Sequence, residues 1–479
     1  MNKKKKKKND NEYKQKILKV QDTINTFSQF ITIPQLSDDI DYNIVNDTKG
    51  FNTIISNEFY IFNNEVLLYL SSLTCGRKMS DLLNKTKIIN IFPSDEQKNT
   101  LLNWMDSYID TYNKVLEIIK SIRKELNKEY NTVFKYNEID FELDFNDLKK
   151  DFFDFKEQQS IKNGINKHIL DYAIKDALSA LDSVQTNLDK GNIKKTRLRY
   201  LKKSKPNKIL KIEKMICSEN GFCTSKLGKI LKSSPFIKYK NDVEQVGTLK
   251  YDSIRNKFTF HLKYEIKKPL DRKTERLGIF DPGLRTFLTG ISNDYIIEYG
   301  VQIGKRIKKV LNKMDKIKSK KMVNNKQKYY IKHPSSTKKI IKNKRKHLLK
   351  YERYLSNYIN DVHRQIISDM IKRFDYITIG NFSTKNMVET DKTSKMNKRI
   401  GNSLKLYQFK QKLKYKCLIN GCKYRIVNEF MTTKCCSNCS KINNEINSQK
   451  EFECSYCDHN YDRDINASKN ILMKCLKYE

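Results

Sequence analysis

EFMTTKCCSNCSKINNEINSQKEFECSYCDHNYDRDINASKNI, residues 429–471, carries two Cys-x-x-Cys pairs, Cys436/Cys439 and Cys454/Cys457, with fourteen residues between them. Each pair presents two thiolates on a tight turn. Two such pairs at this separation fit a tetrahedral four-cysteine zinc ribbon, with each sulfur about 2.3 Å from the metal. The metal closes a subdomain too small to have its own core. A closed four-thiolate site has no open position for substrate, so this Zn2+ is a scaffold and not a catalyst. Cys435 is out of register and reads as a spare thiol, and His459 is not needed as a ligand. Glu429 precedes the cysteines, and Asp462 and Asp464 follow them. Either these acids are solvated loop charges, or the clip holds a catalytic site together.

The chain around this stretch has 479 residues, enough for two to four domains. With 38% hydrophobic residues it has the apolar content for ordered cores. Its 95 basic residues against 55 acidic ones leave a formal charge of +40, which calls for a polyanionic partner, with nucleic acid first. An AT-rich genome would explain lysine in place of arginine, but not lysine in place of glutamate. A membrane surface is the alternative, yet no apolar run reaches spanning length. The N-terminus opens on lysines and polar residues without a signal-peptide pattern. Eleven cysteines in that setting imply a reducing compartment, with thiols or metal ligands and not disulfides. The unbroken run Lys3–Lys8 reads as a solvated tail or a nuclear localisation signal.

Residues 1–55 read as a basic tail and the start of an N-terminal region, and 56–195 as mostly helical. In NKHILDYAIKDALSALDSVQTNL, Ile169, Leu170, Ala173, Ile174, Ala177, Leu178, Leu181, Val184 and Leu188 form one apolar stripe ending near Gly191. Short β-like runs follow over 196–272. Tyr251, Phe258, Phe260, Leu262, Tyr264 and Ile266 alternate around a polar turn as a hairpin does. From 276 onward LGIFDPGLRTFLTGISNDYIIEYG reads as three strands with Gly283, Gly290 and Asn293 as turn residues. A Lys-rich helical stretch over 305–350 is broken at Pro334, and FDYITIGNF is a strand bounded by Gly380 and Asn381. Strands separated by long helices make the fold class multidomain α+β.

Hydrolysing a phosphodiester without a catalytic histidine calls for carboxylates that hold metal ions, commonly two Mg2+ about 3.5–4 Å apart. Asp281 ends the apolar run LGIF and begins Asp-Pro-Gly, so it is a metal-ligand candidate or a plain turn aspartate. Asp464 begins a helix whose Ala467 and Ser468 permit close packing, and an acid favoured by the helix dipole is the other reading.

LGIFDPGLRTFLTG, EFMTTKCCSNCS and YDRDINASKNIL, in this order with the ribbon between the last two, resemble the RuvC-like nuclease domain of the TnpB and Fanzor proteins. These are transposon-encoded RNA-guided DNA nucleases related to the compact type V CRISPR effectors. NDVHRQIISDMIKRFDYITIGNF resembles the same family's helix-then-strand segment. The resemblance implies a helical recognition lobe over 56–195 and a small β-barrel, wedge-like domain over 196–272. It implies a RuvC-like RNase H-fold nuclease domain over 276–479, with the zinc ribbon inserted at 431–461.

The family's Asp–Glu–Asp site maps onto Asp281 and Asp464 at its ends. Bacterial members carry the glutamate just after the central strand, where this chain has Gly380. In the rearranged site of Fanzor and some TnpB proteins the glutamate lies a few residues before the ribbon, which selects Glu429; Glu389 is the other candidate. The resemblance then implies an endonuclease with two catalytic Mg2+ and one structural Zn2+, acting as a monomer with a guide RNA from its own locus on double-stranded DNA. It would work in the nucleus of a eukaryotic host, or otherwise in the cytoplasm. A catalytically inactive nucleic-acid-binding homologue and an unguided RuvC-like nuclease are the alternatives.

Overall fold

The computed structural model describes residues 14–23, 42–47, 52–56, 82–194, 198–213, 217–218, 221–230, 246–253, 255–319, 334–382, 384, 393–446 and 449–477. The Lys3–Lys8 run and Glu389 lie outside them. The chain divides into two units, Ser80–Lys267 and a second assembled from Met1–Met79 and Lys268–Glu479.

Near the N-terminus, a helix (α1, 14–23) precedes an antiparallel pair, β1 (Tyr42–Asp47) and β2 (Asn52–Ser56). These belong to the discontinuous unit, so the segment read as a basic tail and the start of an N-terminal region contributes regular structure to the unit that resumes at Lys268.

The contiguous unit begins with β3 (Leu82–Ile91), followed by α2 (Asp95–Glu129), α3 (Phe145–Asp151), α4 (Phe153–Asn163) and α5 (Lys167–Asp189). Then come β4 (Asn207–Ile212), β5 (Cys217–Ser218), β6 (Gly221–Phe222), α6 (Thr224–Leu227), β7 (Gly247–Asp252) and β8 (Lys257–Lys267). Helix α2 starts on a capping box in which Ser94 and Gln97 satisfy each other's backbone N–H groups. The apolar stripe of α5 buries Ile169, Leu170, Ala173, Ile174, Ala177 and Leu181, and the chain leaves the helix through Gly191 at φ +65°. Tyr251 and Phe258 face each other across the β7–β8 hairpin.

Among the described residues, the region expected to form a small barrel is a four-stranded antiparallel sheet in the order β3-β8-β7-β4. One edge strand, β3, comes from the stretch read as helical, and it pairs with β8 along its whole length, from Leu82↔Lys267 to Ile91↔Phe258. Lys85, Thr86 and Lys87 blur its period-two pattern, and its partner lies far along the chain, so no local signal marks it as a strand. Phe258, Phe260, Leu249 and Leu210 pack from this sheet against Leu101, Trp104, Ile169 and Ala173 of the helices.

The discontinuous unit resumes with β9 (Leu277–Pro282), β10 (Leu288–Ser292), β11 (Ile296–Val301), α7 (Ile303–Ser319) and α8 (Pro334–Arg373). It continues through β12 (Tyr376–Gly380), α9 (Lys395–Leu404), α10 (Leu406–Leu418), β13 (Lys423–Val427), β14 (Glu451–Glu453), β15 (Asn460–Asp462) and α11 (Arg463–Lys477). Its sheet runs β1-β2-β11-β10-β9-β12-β13. Strands β9, β10 and β11 are an antiparallel meander, while β12 and β13 run parallel to β9. Gly290 is not a turn residue: it sits inside β10, where a Cβ would lie 2.3 Å from the Phe280 ring. Residues alternate between two cores. Phe280, Leu288 and Tyr299 pack with α7 and α8, while Ile279, Ile291 and Tyr376 pack with α11 and the ribbon. No helix among the described residues is long and apolar enough to cross a membrane.

Candidate active site

Asp281 is the fifth residue of β9 and shares a face with Ile279, the face toward α11. The register aligns Asp281 with Thr289 and Thr289 with Glu298, so these three project side by side from adjacent strands. Asp281 is only 6% exposed. Burial first, then the nearby Glu429 and Asp464 carboxylates, push its pKa well above the usual range, against the pull of Arg463 and Lys410.

On β12, Tyr376 and Thr378 face Cys475 of α11, and Gly380 continues that alternation. A side chain at 380 would therefore point to the same face as Asp281. None is present, and Glu429 fills the space: a Cβ on Gly380 would lie 1.7 Å from Glu429 Oε1 and 2.4 Å from its carboxyl carbon. Glu429 reaches this position from beyond the end of β13. Asn381 N–H donates to Val427 O at 2.8 Å, Glu429 N–H to Asn381 Oδ1 at 3.2 Å, and Phe382 N–H to Glu429 Oε1 at 3.0 Å. Burial raises the Glu429 pKa to about 7, opposed by the Phe382 hydrogen bond and by Lys410 and Lys474.

Asp462 and Asp464 do different work. Asp462 Oδ1 caps α11, accepting from the N–H groups of Asp464 (2.9 Å) and Ile465 (3.3 Å). Asp464 is left to face Asp281, with Arg463 Nη2 on its Oδ1 at 2.9 Å. The structure thus brings together Asp281, Glu429 and Asp464 from three distant stretches of chain. Glu298 borders the cluster; its pKa is raised by burial and by Asp462.

The sulfurs of Cys436, Cys439, Cys454 and Cys457 all lie within 4.8 Å of one another, with Cys436–Cys457 at 3.7 Å and Cys439–Cys454 at 3.5 Å. A tetrahedron with metal–sulfur bonds of about 2.3 Å has edges of about 3.8 Å, so this donor set fits Zn2+. The two knuckles repeat one geometry. Ser440 N–H donates to Cys436 O and Asp458 N–H to Cys454 O, and both Ser440 and Asp458 have left-handed φ, +59° and +53°. Cys435 stands apart, with its Sγ 3.0 Å from Ser440 O, and His459 stacks on Tyr461. Helix α11 grips the first knuckle. Asn466 accepts from Ser437 N–H (2.8 Å) and donates to Cys435 O (2.9 Å); Asn470 donates to Cys435 O and Thr432 O, both 2.7 Å.

Sequence reasoning passed over two buried lysines. Lys410 falls on the stripe Leu406, Phe409, Leu413 and Cys417, and Lys474 on the stripe Ala467, Ile471. A lysine at such a position on an apolar face was the available signal.

The strand ends bearing clustered carboxylates, beside a four-cysteine ribbon, define a mixed helix-and-sheet protein with a candidate cation site. Residues 407–471, which include Glu429, the ribbon and Asp464, match the family described as Cas12f1-like, TNB domain. The TnpB-like protein R854 of Acanthamoeba polyphaga mimivirus is 31% identical over 399 residues, covering 81% of this chain and 72% of that protein. TnpB-like protein L770 of the same virus is 29% identical over 399 residues, with 81% and 73% covered. Among solved structures, a chain of the Cas12f1–sgRNA–target DNA complex is similar at a TM-score of 0.38 and 14% identity, over 81% of this chain and 99% of that one. The chain belongs to the TnpB-like family.

Proposed function

We propose that this protein is an RNA-guided DNA endonuclease that cleaves target double-stranded DNA by metal-assisted phosphodiester hydrolysis in a RuvC-like, RNase H-fold site. The observation that carries this reading is the Glu429 carboxylate lying over Gly380, beside Asp281 and facing the α11 end that bears Asp464. A site lacking its glutamate would be inert. Here a carboxylate from another segment fills the place that a side chain at 380 would occupy. The mixed sheet with acids at the end of β9 and the start of α11 supports the fold reading, and the TnpB-like family supports the guided chemistry.

Asp281, Glu429 and Asp464 would hold two Mg2+. When bound, these ions supply Lewis-acid stabilisation of the attacking and leaving oxygens. Burial primes Asp281 and Glu429 to bind cations: desolvation raises both pKa values, the Glu429 and Asp464 charges add to the rise at Asp281, and divalent charge would relieve that repulsion. Cys436, Cys439, Cys454 and Cys457 would hold the Zn2+. The excess of 40 positive charges suits a monomer wrapped on guide RNA and DNA, with base pairing reading sequence and the protein reading backbone.

The test is co-expression with native flanking DNA, purification in high salt, and sequencing of the retained RNA, followed by plasmid cleavage. One discrete RNA and Mg2+-dependent cleavage are expected, with Asp281→Ala losing cleavage and keeping RNA. Full cleavage by that variant would falsify the site assignment. Heterogeneous RNA tracking cellular abundance would favour an unguided nuclease or an inactive binding protein.

A further inference from the structure

Glu429 lies on irregular chain past the end of β13, whereas Asp281 is held within a strand. A loop-borne carboxylate makes a poor metal ligand unless its backbone is fixed on both sides. Two buried lysines do this. Lys410 of α10, 7% exposed, donates from Nζ to Gly380 O (2.6 Å) and Phe382 O (3.1 Å). The same Phe382 turns its N–H onto Glu429 Oε1. Lys474 of α11, 4% exposed, donates to Asn428 O (3.1 Å) and Phe430 O (2.5 Å), the carbonyls on either side of Glu429. The helices that deliver both amines are anchored by core residues, Phe409 and Leu413 for one and Ile471 and Met473 for the other.

Satisfying four backbone carbonyls is the plainer role for these lysines. It does not explain the charge, because burying an ammonium costs several kcal/mol unless nearby negative charge offsets it. The acid that both ammonium groups face is Glu429. The geometry points to Lys410 and Lys474 as a pair of positioning residues. They fix the loop-borne Glu429 against Gly380 and thereby set how tightly the carboxylate cluster holds divalent cations. This inference rests on the metal-site reading above.

The experiment uses the full-length, zinc-loaded chain freed of nucleic acid, with Mn2+ binding followed by electron paramagnetic resonance. Lys474→Met should keep one zinc per chain and a cooperative melt, yet weaken Mn2+ binding roughly tenfold, as loss of an outer-shell support does. Glu429→Gln should cost about as much in the wild-type background and less than about twofold on top of Lys474→Met, since both remove the same ligand. Lys474→Arg, which keeps a buried donor, should restore most of the affinity. Should Lys474→Met disturb zinc or folding, Lys410→Met carries the same cycle. Wild-type Mn2+ affinity in both methionine variants, or losses that multiply fully with that of Glu429→Gln, would overturn the inference. If Glu429→Gln alone leaves Mn2+ binding unchanged, the metal-site reading fails, and this inference with it.

Discussion

Gly380 is the residue on which the site turns. Its backbone lies in ordinary strand geometry, so nothing about its φ requires glycine. Glycine is required because the Glu429 carboxyl occupies its Cβ position. Gly380→Ala should therefore push Glu429 out of the cluster. Mg2+-dependent cleavage should fall by roughly tenfold or more, while zinc content stays at one per chain. Unchanged cleavage kinetics would show that Glu429 is not needed in that place. The pKa of Glu429 makes a second prediction. It rises from 4.5 to about 7, so between these values the folded chain binds more protons than the unfolded one. Stability of the metal-free protein from this group is present at low pH and is lost as pH rises through about 7. Glu429→Gln should thus raise the melting temperature of the zinc-loaded, Mg2+-free chain by a few degrees at pH 8 and leave it unchanged near pH 4.5. Protons compete with Mg2+ over the same window, so the Mg2+ concentration needed for half-maximal cleavage should climb as pH drops below 7.

At the scale of elements, α11 is the common mount. Its first turn carries Asp464, capped by Asp462. One turn on, Ser468 Oγ donates to Thr289 O of β10, the residue opposite Asp281, and Asn466 and Asn470 hold the first zinc knuckle. These buried amides tie the first knuckle to the helix that carries Asp464, so zinc loading is expected to influence the position of Asp464. Cys439→Ser should release the zinc and abolish cleavage. Asn466→Ala leaves all four cysteines in place but strands Ser437 N–H in the interior, at roughly 1–3 kcal/mol, and leaves Cys435 O with only its bond from Asn470. It should lower the melting temperature and accelerate zinc loss to a chelator, both measurable without substrate. Zinc release no faster than wild type would break the proposed link between ribbon and helix.

The whole molecule is organised discontinuously. Among the described residues, the discontinuous unit takes α1, β1 and β2 from before residue 80 and everything else from after 267. Strand β2 pairs with β11, so deleting residues 1–56 would strip the cover from a sheet edge and expose unpaired backbone groups. That truncation should aggregate on expression, which size-exclusion chromatography would detect. The intervening unit, 80–267, has its own cores around Trp104 and Ile174 and all the partners of its sheet. A fragment spanning it should fold alone and melt cooperatively.

Local patterns carried a large part of this protein's description. The Cys-x-x-Cys spacing specifies its own tetrahedron, the stripe from Ile169 to Leu181 its own helix face, and the alternation around Tyr251 and Phe258 its own hairpin, because each depends on residues a few positions apart. What only the tertiary structure decided is non-local. Strand β3 becomes a strand because β8, far along the chain, offers it a partner. The resemblance selects Asp464 as the site acid, and the docking of α11 on the sheet is what sets it near Asp281. Above all, sequence spacing cannot say whether a carboxylate at 429 meets a glycine at 380. Chain connectivity places them apart, and only the parallel pairing of β12 with β13, ending at Gly380↔Val427, sets one beside the other.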